Sequence, residues 1–171
     1  EMQKALDAFR DATGTEPQTI GAAGWQLNPQ VIAIEEQMGF RYASDVRGVG
    51  PFFPIMDSVH SRCVQLPTTL PTLDEIIGSG GIDSSNCWRT ILEKSREPLP
   101  NGHVYTLHAE LEGLKLKPAM ENLLRSWKSY GFECVTLNQL YSSLDLSVVP
   151  EQEIRWGELD GRSGQLAMQA A

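Results

Sequence analysis

The chain has 171 residues, of which 41% are hydrophobic, enough for a domain with a core of its own, and no stretch is long and apolar enough to span a bilayer. The formal charge of -8 is spread along the chain and the 14 basic residues do not cluster, so no nucleic-acid partner is expected. Three cysteines, Cys63, Cys87 and Cys134, stand at wide spacings without a Cys-x-x-Cys pair, which speaks against a disulfide framework or a structural zinc site and fits a reducing compartment.

In chain order, Met2 to Thr13 has the apolar spacing of an amphipathic helix (Met2, Leu6, Phe9) and is stopped by Gly14. No start signal precedes it, so the chain is expected to be the back half of a longer polypeptide. Thr19 to Ala22 reads as a strand running into Gly24-Trp25. Asn28-Pro29 then supplies an N-cap and a proline at the first helical position for a helix that carries Val31, Ile32, Ile34 and Met38 and closes at Gly39.

Phe40 to Ala43 is the next predicted strand, followed by a turn-rich apolar loop from Ser44 to Pro54 and a strand from Cys63 to Leu66 that stops at Pro67. Helices are predicted over Thr72 to Ile77 and Asn86 to Arg96, a strand over His103 to Leu107, a helix over Pro118 to Tyr130, a strand over Phe132 to Val135 and a last helix over Thr136 to Leu144. Five alternations of strand and helix imply an α/β fold with parallel strands and crossover helices, as an open sheet or part of a barrel. Residues 1–149 form this body, and residues 150–171 are expected to be an irregular tail.

Parallel strands gather their C-terminal ends on one face, where α/β enzymes keep their chemistry. The residues just past those ends are Ala22 to Trp25, Ser44 to Gly48, Pro67 to Thr69 and His108 to Glu110. His108 is suited to proton transfer near neutral pH, with Asp45 as a carboxylate to hold its ring; alternatively it is a satisfied cap after a strand. His60 and His103 lie among loop residues and are read as solvent-facing. Glu110 and Glu112 share a side of an extended segment, where they hold a cation or are simply hydrated. Arg47 either closes an Asp-centred turn with an internal ion pair or grips an anionic group of a ligand. The apolar run Val49 to Met56 is either core or a patch for a lipid chain or membrane surface.

Ala22-Ala23-Gly24-Trp25, Arg41-Tyr42-Ala43-Ser44-Asp45-Val46-Arg47-Gly48, Leu66-Pro67-Thr68-Thr69-Leu70-Pro71-Thr72 and Tyr105-Thr106-Leu107-His108-Ala109-Glu110 together resemble successive motifs of the polysaccharide deacetylase (NodB-type) family. The resemblance runs over nearly the whole chain and points to the ArnD-like deformylase branch. Members of that branch act on 4-deoxy-4-formamido-L-arabinose carried on undecaprenyl phosphate, in the lipid A modification that confers polymyxin resistance.

The resemblance implies a distorted (β/α) barrel of the NodB type and a divalent metal ion whose bound water attacks the formamide carbonyl. It makes His108 the general acid, Asp45 its partner, and backbone amides near Gly24 and Trp25 the holders of the tetrahedral oxyanion, with Arg47, Thr68 and Glu110 as further substrate contacts. The family's catalytic-base aspartate and its metal-binding aspartate and histidines belong to earlier motifs with no counterpart here, so no metal ligand is expected in this chain. Alanines stand at Ala22 and Ala23 where the wider family carries an arginine, as in the deformylase branch, whereas Gln26 stands where that branch often has arginine.

The implied partners are the lipid-linked amino sugar, the missing N-terminal half of the barrel and, peripherally, a membrane. The implied location is the bacterial cytoplasm or the cytoplasmic face of the inner membrane. The competing functions are deacetylation of another N-acylated sugar, and a non-catalytic sugar or lipid-phosphate binding domain.

Overall fold

The computed structural model describes residues 1–170. The helix α1 (Met2–Thr13) ends on Gly14 at φ 73°, and the strand β1 (Thr19–Ile20) leads into a 3₁₀ turn over Ala23–Trp25. The helix α2 (Pro29–Gln37) starts as its sequence dictates: the Asn28 side chain accepts from Val31 N at 3.1 Å and Pro29 occupies the first turn. The strand β2 (Tyr42–Ala43), the hairpin β3 (Phe53–Met56) and β4 (Val59–His60), and the strand β5 (Val64–Gln65) follow. Beyond them come α3 (Leu73–Ile76), α4 (Cys87–Ser95), a π-helical turn over Leu111–Lys115, α5 (Lys117–Ser129), α6 (Leu137–Ser143), β6 (Glu151–Gly157) and β7 (Leu166–Gln169).

β1, β2 and β5 form a parallel sheet in the order β1-β2-β5, with Thr19 opposite Tyr42 and Tyr42 opposite Val64. β1 and β2 are joined through α2, as in the predicted α/β arrangement, whereas the connection from β2 to β5 is the β3–β4 hairpin, and the ends of all three parallel strands point toward one edge. A second sheet has the order β4-β3-β6-β7. The two are stitched together by single bridges from Phe52 to Gln65, from Arg47 to Thr68 and from Arg47 to Met168.

Three departures from the predicted elements stand out, and of its two readings the apolar run Val49 to Met56 takes the core one. Residues 150–171, expected to be an irregular tail, carry β6 and β7; β6 pairs in parallel with β3 and antiparallel with β7. The apolar run Val49 to Met56 is core: Phe52 is 0% and Phe53 8% exposed, although Val49 stays outside. Residues 103–107 are not a sheet strand, although Thr69 N and Leu70 N both donate to Val104 O at 3.0 and 3.2 Å. Residues 132–135 likewise join no sheet.

Burial falls into layers. Leu73, Ile91, Leu116, Leu123 and Trp127 pack α3, α4 and α5 together, while Ile32, Val46, Phe52, Ile154 and Ala167 fill the space between α2 and the second sheet. Tyr42, Phe53, Val64 and Leu66 pack under α6. All three cysteines are free, Cys63 and Cys87 buried and Cys134 exposed. Among the described residues no helix is long and apolar enough to cross a membrane.

Because Ile154 lies on β6 and is 5% exposed within the second core layer, Ile154→Ala is expected to lower unfolding stability by about 2–5 kcal/mol. A loose tail would give nearly no change in the denaturant midpoint.

Candidate active site

The turn after β1 is strained and pinned. Gly24 and Trp25 both have positive φ, 63° and 56°, a conformation that glycine tolerates and tryptophan does not favour. Asp45, fully buried just past β2, holds the start of the turn by accepting from Ala22 N at 2.6 Å. Its other oxygen accepts from Gln65 Nε2 at 2.6 Å, and Asp45 N donates to Gln65 Oε1 at 3.0 Å. Burial pushes the Asp45 carboxyl up, against the hydrogen bonds from Gln65 and Ala22 that favour its charged form.

The Trp25 indole is held at its edge and its face. Its Nε1 donates to Thr68 Oγ1 at 3.3 Å, and Thr68 Oγ1 lies 2.7 Å from Thr106 Oγ1, which links the turn to the segment that carries His108. The guanidinium carbons of Arg47 and Arg162 sit 4.8 and 4.6 Å from Trp25 ring centroids. Arg47 Nη1 is bidentate on Glu75, at 2.8 and 3.1 Å, and its Nη2 donates to Leu70 O at 2.9 Å. Glu75, on α3, also accepts from Thr72 N at 2.9 Å and from Arg162 Nη1 at 3.3 Å. Gly161 brings the β6–β7 connection onto α3 so closely that a Cβ there would lie 1.9 Å from Glu75 O.

His108 caps the turn that follows it. Its carbonyl accepts from Leu111 N and Glu112 N, both at 2.9 Å, and Glu112 reaches back to accept from His108 N at 2.9 Å and from Tyr105 Oη at 3.0 Å. His108 Nδ1 lies 3.5 Å from Asp74 Oδ1, sealed from solvent but without hydrogen-bond geometry to any group. The ring is one-third exposed, so that exposure belongs to its other atoms. Two clefts, each of about 390 Å³, flank this segment. One runs past Asp74, Asp83, Leu111 and Lys115; the other is apolar, along Tyr105, Leu107, Trp127 and Phe132.

The structure therefore brings Gly24, Trp25, Arg47 and Thr68 together and separates Asp45 from the histidine it was expected to orient. Asp45 has its oxygens taken up by Ala22 and Gln65, and Asp74 is the carboxylate beside His108. Arg47 makes no ion pair with Asp45; its partner is Glu75, and at 6% exposure with occupied donors it supports Trp25 from below. Glu110 is exposed, whereas Glu112, expected to be hydrated, is buried at 4%. His60 is exposed as expected, but His103 is tied to Thr69 Oγ1 at 3.2 Å and Glu97 O at 2.7 Å.

Sequence reasoning missed Glu35, Asp74, Glu75 and Arg162. Glu75 had a signal in the Thr72-x-x-Glu75 capping spacing, and Glu35 one in its position three residues after buried Ile32. Both Glu35 oxygens are buried without a hydrogen-bond partner, and burial, then the charge of Asp45, pushes its carboxyl up to about 9. Burial, reinforced by Glu35 and Asp45, likewise raises the Cys63 thiol. Among the described residues no group of three His, Cys, Asp or Glu side chains converges in a way that could hold a metal ion.

With this geometry in place, the chain can be compared with known proteins. It superimposes on a polysaccharide deacetylase from Mycobacterium smegmatis with a TM-score of 0.67 and 18% identity, over 92% of this chain and 59% of the other. The fold is that of the NodB-type polysaccharide deacetylases. Within that fold the chain is a homologue of the ArnD-type deformylases. It is 34% identical over 172 residues to the 4-deoxy-4-formamido-L-arabinose-phosphoundecaprenol deformylase ArnD of Shewanella sediminis, covering 100% of this chain and 54% of the relative. To the protein of the same name from Wigglesworthia glossinidia brevipalpis it is 33% identical over 152 residues, 88% of this chain and 52% of the relative. The chain thus spans about half the length of the curated relatives it matches, and no family model matches it.

The raised Glu35 carboxyl has a consequence for stability. Its folded pKa lies above the ordinary 4.5, so its contribution is fully present below that pH and is lost as pH rises toward about 9. Glu35→Gln, which stays neutral, is expected to flatten the decline in stability across that window, as read from melting temperatures at successive pH values. A decline of unchanged steepness in the variant would assign it to other groups.

Proposed function

We propose that this chain supplies the general-acid side of an enzyme that hydrolyses the formamide of undecaprenyl-phosphate-linked 4-deoxy-4-formamido-L-arabinose, releasing formate and exposing the amine. The observation that carries the reading is the junction at Trp25: Thr68 and Thr106 join the strained turn after β1 to the segment ending in His108. The names of the two curated relatives, aligned over all or most of the chain, support formamide as the bond and a lipid-linked arabinose as its carrier. The corresponding place of action is the cytoplasmic face of the inner membrane, within lipid A modification.

In the proposed reaction, amide hydrolysis passes through a tetrahedral intermediate whose nitrogen must be protonated before the C–N bond breaks. His108 fits this task through its open ring edge. Nδ1 faces Asp74 Oδ1 at 3.5 Å, so the exposed edge of the ring is the one that meets the leaving nitrogen. Glu112 fixes the backbone beneath the ring, and the buried Trp25, held by Thr68 and Arg47, supports the turn after β1 from inside. Donation to the leaving nitrogen leaves neutral His108, formate and the free amine.

The divalent metal implied by the resemblance does not fit the donor set of this chain alone, since no convergent ligand cluster exists among the described residues. Metal dependence of the whole enzyme is therefore proposed to rest on residues of the remaining polypeptide, including the aspartate and histidine motifs of the other barrel half.

In the full-length holoenzyme, His108→Ala is expected to lower kcat for formate release about 10²–10⁴-fold, and Asp74→Asn about tenfold, with melting temperatures near that of the parent. Acetate in place of formate would replace the deformylase reading by deacetylation. A loss of kcat in Asp45→Asn without loss of stability, together with an unaffected Asp74→Asn, would return the orienting role to Asp45.

A further inference from the structure

We propose that Arg162, on the connection between β6 and β7, is an anion-binding side chain that receives the phosphate of a lipid-linked sugar; the identity of the carrier rests on the deformylase reading above. Arg47 and Glu75 are 7% and 3% exposed and neutralise each other through a bidentate pair. Glu75 has a further short bond from Thr72 N, so its carboxylate is satisfied before Arg162 arrives. Arg162 adds a second cation to the same carboxylate through a longer contact of 3.3 Å, leaving the group of three with one net positive charge.

The Arg162 guanidinium is also presented for use. It is stacked on Trp25, 24% exposed, and only Nη1 of its donor set is engaged among the described residues. Glu158 and Asp160, on the same connection, make no ion pair with it there. Gly24 is exposed beside it: a Cβ at that position would lie 3.7 Å from Arg162 Nη2, and its absence leaves that edge uncovered. An arginine stacked on an aromatic face keeps its in-plane donors free, and their fork matches two oxygens of a phosphate.

Position makes the anion part of the substrate. Trp25 connects the cation on its face to His108 through Thr68 and Thr106 at its edge. A phosphodiester beside the sugar carries one negative charge, complementary to the one positive charge of the cluster. The binding of this phosphate at Arg162, above the buried Trp25 indole, would hold the sugar beside the cluster and leave its formamide toward the histidine. Arg162 thus serves binding and does not transfer a proton.

The test uses the intact full-length protein and isothermal titration with citronellyl phosphate, its uncharged alcohol citronellol, and inorganic phosphate. The parent is expected to bind citronellyl phosphate at least about tenfold more tightly than citronellol. Arg162→Ala should abolish that preference without changing citronellol affinity or melting temperature, and Arg162→Lys should retain part of it. If inorganic phosphate competes, the anion alone suffices; if it does not, the lipid-borne source is required. Both results support the site when they depend on Arg162.

A parent that binds phosphate and alcohol equally, or variants that keep the full preference, would overturn the proposal. Turnover separates it from the deformylase reading. An Arg162-dependent preference without formate release would sink that reading and leave this site standing. Formate release with an unchanged KM in Arg162→Ala would do the reverse.

Discussion

The buried pair of Arg47 with Glu75 is the constraint on which the rest depends. Arg47 continues β2 between two neighbours: its backbone bridges Thr68 on one side and Met168 on the other, with Arg47 N donating to Ala167 O at 3.0 Å and Gln169 N to Arg47 O at 2.7 Å. Its side chain then closes on α3 through Glu75 and underlies Trp25. One residue thereby joins the parallel sheet, the second sheet, a helix and the buried Trp25. Burying two charges is costly unless each is fully paired, and here Leu70 O and Thr72 N complete the set. Loss of Glu75 would leave the buried Arg47 without a carboxylate, and loss of Arg47 would leave Glu75 with Arg162 alone, at the longer distance of 3.3 Å. The same saturation keeps Arg47 from ligands and leaves Arg162 as the cation with donors to spare.

Much of the body is legible in the sequence because its signals are local. Asn28-Pro29 starts α2, Gly14 stops α1, and Thr136 with Gln139 starts α6 through a capping box. The parallel pairing of β1 with β2 across α2 also follows from alternation. The second sheet does not, because its pairing is long-range. In β6 the apolar Ile154 stands among Glu151, Glu153 and Arg155, and only its pairing with β3 and β7 makes the segment a strand. Likewise the apolar run through Phe52 and Phe53 looks like a patch until β6 covers it. Residues 103–107 have the composition of a strand, but their bonds go to the Thr69 and Leu70 backbone outside any sheet.

The site shows the same division. Position past β1, β2 and β5 places Trp25, Arg47 and Thr68 on one edge but says nothing of depth, and His108, which follows no sheet strand, is tied to that edge through Thr106 and Thr68. Asp45 lies beneath the turn that it anchors, its oxygens taken up by Ala22 and Gln65, and Asp74 on α3 is the carboxylate beside His108. Glu112 looked like a hydrated partner of Glu110 because an extended segment was assumed; a helical turn sends the two apart and gives Glu112 the His108 backbone to hold. Arg162 had no sequence signal, since its meaning depends on a connection folding back across the sheet. The homology to ArnD-type deformylases then gives the cluster a chemical context that no one of its residues carries alone.

The contact between Gly161 and the α3 backbone sets a limit on how this architecture can diversify. There is room at that position for a hydrogen and none for a methyl group, because a Cβ would overlap the carbonyl of Glu75. A larger residue would push the whole connection outward, carrying Arg162 off the indole and loosening the β6–β7 hairpin behind it. Selection on the site therefore extends to a residue that has no side chain and meets no substrate. The exposed Ser163 has room to change, whereas Gly161 must remain bare for the connection to keep its place on α3.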